Sequence, residues 1–125
     1  MASYRGPDIR QKEYLLLAEQ RLARSIRVAR WRQERADELD GYRKVDDAKW
    51  GVQATCARRL AIQASDRVSD EQRKVDWRRA RWAQELAVWK RVCEQDIRLT
   101  GRVRDYSGGD LEHQKYLNSL LAERT

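Results

Sequence analysis

At 125 residues, 14.8 kDa and mean hydropathy −0.95, the chain has room for one domain or one set of helices and not for two domains. Its longest apolar run, residues 14–18, falls far short of the roughly 20 residues of a membrane span, and one Pro, six Gly and no Phe argue against a turn-punctuated all-β fold. The net charge of +7 sets 27 Lys and Arg against 20 Asp and Glu, with acids interleaved throughout, which is the writing of salt-bridged helices rather than of a basic tail.

Taken in chain order, the elements are helical. Pro7 suits the first turn of a helix, and residues 8–40 carry Ala, Leu, Arg, Glu and Gln with no breaker. Asp40-Gly41 is an expected stop. A second helix is expected over 46–64, then a boundary at 65–72, where Ser69 and Gln72 have capping-box spacing. A third helix follows over 70–99, closed by Thr100-Gly101. After a Gly-containing loop, Asp110 is the expected cap of a short fourth helix over 110–124. The expected fold is all-α, with three to four helices, two of them long, as extended helical hairpins, a coiled coil or a small bundle.

Both long helices are two-faced. Setting 100° per residue, Leu15, Leu22 and Ile26 form one stripe of the first helix and are assigned to the core. On the third, Val75, Trp82, Leu86, Trp89, Cys93 and Ile97 form a tight core seam. Each helix also carries a second apolar strip: Leu17, Val28 and Trp31 among Arg24, Arg27 and Arg35, and then Trp77, Val88, Val92 and Leu99. A small bundle buries one face of each helix and rarely two, so this second strip is expected to be an interface, with Trp31, Trp77, Trp82 and Trp89 as anchors. The stretch from Trp31 to Leu39 also echoes that from Trp77 to Leu86, a weak sign of duplicated hairpins.

Reactive groups do not converge. The single histidine, His113, and Cys93 could form a thiol–imidazole pair, but Cys93 lies in an apolar seam where thiols are inert. Cys56, Cys93 and His113 lack the close spacing of a zinc site, and Gly108-Gly109 is too short to cradle phosphate. No catalytic residue, metal site or cofactor is expected. Cys56 and Cys93 read as buried thiols rather than a disulfide, since the N-terminus lacks the apolar region of a secretory signal.

The expected function is therefore a structural accessory subunit that bridges or stabilises larger proteins, with its arginines pairing to acidic surfaces of neighbouring subunits. A respiratory or other energy-converting complex and a ciliary microtubule lattice are the compatible hosts, which implies an intracellular, mitochondrial or ciliary location. The alternative is an RNA-binding or ribosomal protein that uses the same Arg/Trp faces. Contact with an anionic membrane surface is a third partner class.

Overall fold

The computed structural model describes residues 6–101 and Lys115, and among them there are two helices and no strand: α1, Ile9–Val45, and α2, Asp47–Thr100. The two long helices form a helical hairpin. The all-α class holds, and the expected division into three or four helices is corrected. Asp40-Gly41 does not stop α1, and the boundary expected at 65–72 is absent, so the second and third helices are one. Ser69 is an exposed mid-helix residue, and Gln72 donates from Nε2 to Asp76 Oδ1 at 3.0 Å. Ser and Asp cost a helix only fractions of a kcal/mol each, and continuous packing on either side of the stretch outweighs that. The expected fourth helix and His113 lie outside the described residues.

The caps follow from local chemistry. Asp8 precedes α1, its Oδ1 accepting the Arg10 backbone N–H at 3.2 Å and its carbonyl accepting the Gln11 N–H at 3.0 Å, so Asp8 rather than Pro7 sits at the helix start. A hydrogen bond from the Arg10 side chain is the main reason its carboxyl lies below the usual aspartate range. Between the helices only Asp46 is non-helical. Its Oδ1 accepts the Lys49 N–H at 3.1 Å, which caps α2 from the turn itself. Beside it the rings of Tyr42 and Trp50 meet at 5.1 Å. At the other end Gly101 takes φ 74° and donates its N–H to the Ile97 carbonyl at 3.0 Å, the left-handed closure that glycine adopts without strain.

The chain divides into two compact units. In the unit Tyr14–Arg78 the shielded residues of α1 include Leu15, Ala18, Leu22, Ser25, Ala29, Arg32, Ala36 and Leu39, which alternate steps of three and four residues, with Glu19 and Asp40 shielded beside them. On α2, Ala54, Ala57, Ala61, Ala64, Val68, Glu71, Val75 and Arg78 do the same. This is the heptad, whose 3.5-residue period keeps one seam of each helix against its partner. The seam is made largely of small residues: Ala18, Ala36, Ala54 and Ala61 are all buried. Small side chains let two helix backbones approach closely, and they leave the larger apolar side chains to other faces.

Cross-helix polar contacts fix the register of this unit. Arg58 Nη2 donates to Asp37 at 2.9 Å and also to Asp40. The Arg58 bond holds the Asp40 carboxyl below its ordinary range and the guanidinium above its own. Further along, the Arg78 guanidinium lies 4.9 Å from the centroid of the Tyr14 ring.

The other unit joins the chain up to Glu13 with α2 from Arg79 onward. Here Trp82, Trp89 and Cys93 are buried, Leu86, Val92 and Ile97 half-buried, and Val88 and Leu99 exposed. The Asp8 backbone N–H donates to Glu85 Oε2 at 3.1 Å. Trp82 and Trp89 are thus core residues here and not anchors for a partner. Their large rings fill a seam that alanine fills in the first unit.

Candidate interaction face

Outside its seam, α1 carries a second line of three-and-four spacing: Tyr14, Leu17, Arg21, Arg24, Val28, Trp31 and Arg35, every one exposed. These are the heptad positions beside the seam on one flank, conventionally c and g. α2 presents the equivalent line, Gln53, Cys56, Leu60, Gln63, Arg67, Asp70, Lys74 and Trp77, also exposed, with Asp70 paired to Arg73 at 3.4 Å. In an antiparallel pair these flanks fall on the same side, and three grooves on the Tyr14–Arg78 unit bear that out. One of about 610 Å³ is lined by Tyr14, Leu17, Arg21, Lys74 and Trp77. The next, about 250 Å³, lies among Arg21, Arg24, Val28 and Arg67. A third, about 300 Å³, is bounded by Trp31, Arg35, Cys56 and Leu60.

Trp31 and Trp77 are 56% and 60% exposed, and both are the first residue of the echoed sequence stretch. Each ring carries a guanidinium from the next residue, Arg32 at 4.9 Å over Trp31 and Arg78 at 4.7 Å over Trp77. Such stacking of Arg on Trp is a favourable contact and holds an exposed ring in place. Arg78 therefore touches both Trp77 and, across the hairpin, Tyr14.

The face is positively charged. Arg21, Arg24 and Arg67 have no carboxylate partner among the described residues, whereas Arg35 pairs with Glu38 at 3.1 Å. Many of the acids are turned elsewhere: Asp37 and Asp40 hold Arg58, Asp47 pairs with Arg43 at 3.4 Å, and Asp8 with Arg10. The exception at the floor is Glu71. It is buried, its Oε1 is 3.7 Å from Lys74 Nζ, and its Oε2 has no hydrogen-bond partner among the described residues.

The structure gathers Leu17, Arg24, Val28, Trp31, Arg35 and Trp77 on this one face. Arg27 is exposed but lies off the line, and Val88, Val92 and Leu99 belong to the other unit. Of the residues assigned to the core, Val75, Trp82, Trp89 and Cys93 are buried and Leu15, Leu22, Leu86 and Ile97 half-buried. Ile26 is 39% exposed, which corrects its assignment. At a period of 3.5 Ser25 and Ile26 stand equally far, about 51°, to either side of Leu22, and the seam takes the side of Ser25, in line with the shielded Ala18 and Ala29. Leu60 and Arg67 were not singled out from the sequence. Their own heptad spacing was the signal, hidden by the mixture of polar and apolar types along it.

Cys56 is exposed and Cys93 buried, and both are free thiols. Exposure of Cys56 corrects the expectation that both are buried. Burial pushes the Cys93 thiol up to about 11, with Asp96 and Glu94 adding to it. Among the described residues no group of three or more His, Cys, Asp or Glu could hold a metal ion, and no helix is long and apolar enough to cross a membrane. No protein-family model matches the chain, and comparison with curated proteins and with solved structures returns no match.

Proposed function

We propose that the chain is a non-enzymatic structural subunit that bridges or stabilises larger proteins in a macromolecular assembly. One observation carries the reading. The Tyr14–Arg78 unit fills most of its internal seam with Ala, Ser, Arg and Glu, beside Leu15, Leu22, Leu39, Val68 and Val75, and leaves Leu17, Val28, Trp31, Leu60 and Trp77 exposed on one face. A hairpin that stood alone would place those larger side chains inside, since each fully buried one contributes roughly 1.5–3 kcal/mol. Contiguous exposed apolar surface rimmed by charge marks an interaction site, and Trp with Arg is the pairing that protein interfaces enrich. The basic balance suits hosts with acidic surfaces, among them an energy-converting complex or a ciliary filament lattice, and a mitochondrial or ciliary location follows from the host.

Velocity sedimentation of an extract containing the tagged chain tests this. The expected result is migration with a large assembly, lost in the Trp31→Ala/Trp77→Ala variant and unchanged by nuclease. Migration as a free chain overturns the reading. The competing RNA reading draws on the same Arg-flanked tryptophans, which could contact phosphate and stack on bases. It requires that nuclease release the chain and that affinity for RNA fall steeply with salt.

A further inference from the structure

We propose that the face bounded by Trp31 and Trp77 seats an acidic amphipathic helix of a partner protein, which completes a three-stranded coiled coil with α1 and α2. This rests on the reading as an assembly subunit and names the partner's chemistry and the place where it docks.

The period is the first argument. A surface read by a neighbouring helix must repeat every 3.5 residues to remain in contact along its length, and the exposed line from Tyr14 to Arg35 has that repeat. It is the internal seam displaced by one residue, so it keeps the seam's register while staying exposed, and on α2 it runs through Gln63 and Asp70 as well as Leu60, Arg67, Lys74 and Trp77. A nucleic-acid strand imposes no such period on the protein.

Shape is the second. Three grooves lie in a row between the two exposed lines, with Leu17 and Trp77 in the first, Val28 in the second, and Trp31 and Leu60 in the third. Trp77 stands level with the Tyr14 end of α1, through the Arg78–Tyr14 contact, and Trp31 lies more than two heptads further along α1. At 1.5 Å per residue the two rings are about 25 Å apart along the hairpin, which an occupant of about 20 helical residues spans. Its apolar residues would enter the grooves as other helices enter theirs.

Charge selects the occupant. Arg21, Arg24 and Arg67 line the middle groove without carboxylate partners among the described residues, and Lys74 edges the first. Glu at the positions flanking the partner's apolar seam would meet these guanidiniums, the arrangement by which coiled coils choose partners. A second copy of this chain would set arginine against arginine on the same face. Glu71, buried between the first two grooves with Oε2 unpartnered, calls for one neutral hydrogen-bond donor within the occupant's otherwise apolar seam.

The test uses the full chain and two synthetic 21-residue heptad peptides, about the length the grooves span, with Leu and Ile at the seam and either Glu or Lys flanking it. Binding is read by fluorescence anisotropy and by the alkylation rate of Cys56, which lines the third groove. The expected result is micromolar binding of the Glu-flanked peptide and Cys56 alkylation slowed about tenfold, a change equivalent to 1.4 kcal/mol of protection. The Lys-flanked peptide should bind at least tenfold more weakly. Arg21→Glu/Arg24→Glu, at two exposed positions that leave the helix intact by circular dichroism, should reverse that preference. Equal binding of both peptides, binding of neither, or binding of a single-stranded RNA oligomer in their place overturns the proposal. A dimer of the free chain by light scattering, disrupted by the same double variant, overturns it in favour of a second copy. Sedimentation of the Arg21→Glu/Arg24→Glu chain separates the two levels. If it still migrates with the assembly, this face is not the docking site while the subunit reading stands; if the wild-type chain migrates free, the subunit reading has failed.

Discussion

Trp77 and Trp89 lie on the same helix and in opposite environments, the first 60% exposed and the second fully buried. Their substitution should separate stability from association. Trp89→Ala removes a buried ring and should cost about 3–5 kcal/mol, visible as a lower denaturation midpoint by circular dichroism. Trp77→Ala should leave that midpoint within about 0.5 kcal/mol of wild type, as exposed substitutions do, while it weakens association.

The alanine seam predicts the opposite of the usual preference for larger core residues. Ala36 and Ala54 are fully buried, so Ala36→Leu or Ala54→Leu forces the helices apart and should cost about 1–3 kcal/mol. Chemical denaturation of each variant measures it. An increase in stability would mean the two backbones are not held in close approach.

Gly41 lies inside α1, and a Cβ added there meets nothing within 4 Å. Gly41→Ala therefore keeps every contact and removes the entropic penalty of glycine in a helix, for a gain of roughly 0.5–1 kcal/mol. At Gly51 the added carbon comes within 3.0 Å of Asp47 Oδ1, so Gly51→Ala should gain less, and a thermal melt of the two variants ranks them.

Acid should act through Asp40. Its carboxyl titrates below the ordinary aspartate range because it accepts a hydrogen bond from Arg58. A lowered folded-state value means the stabilisation is complete above the unfolded value, near pH 4, and is lost as pH falls through the lower, folded one. The melting midpoint should hold from neutral pH to about pH 5 and decline below pH 4, with a shallower decline in Asp40→Asn. Tyr42, whose hydroxyl donates to Glu38 at 2.8 Å, titrates above its usual value for that reason. A raised value means its contribution is present below pH 10 and disappears above it.

The thiols should react in order. Cys56 is open to solvent and Cys93 is buried with its thiol pushed up to about 11. An alkylating reagent at neutral pH should label Cys56 alone in the folded chain and Cys93 only in denaturant, as mass spectrometry of the digested chain would show.

Helix content and the existence of a second face on each helix were legible in the sequence, because Ala, Leu, Arg and Gln dominate and apolar residues recur on opposite sides. Which residues complete the internal stripe was not. Size pointed to Leu15, Leu22 and Ile26, and the seam instead runs through Ala18, Ser25, Arg32 and Ala36 beside Leu15 and Leu22. A seam of small and polar residues has little hydrophobic contrast, so it shows in the spacing and not in the composition. The unbroken course of α2 was hidden for a similar reason: the Ser and Asp residues at 65–72 resemble a cap wherever a helix needs one, and here Val68 and Glu71 keep the seam running past them. The interaction face was half legible, since Trp31 among arginines and Trp77 beside Lys74 stood out, whereas Leu60 and Arg67 are ordinary residues that gain meaning only when α2 is laid against α1.

Asp46, the single residue between α1 and α2, also constrains how a gene for this hairpin can change length. A turn with no slack transmits any insertion in one helix directly into the alignment of both, turning its seam by about 100° per added residue. Tolerated length variants should therefore come as balanced additions or losses of seven residues in α1 and seven in α2, the smallest change that restores both the depth and the orientation of every layer. A single-codon insertion within either helix would put the seam on its two sides out of phase, whereas one at the turn lengthens the connection and leaves each helix in its own phase, so the turn is the more permissive place.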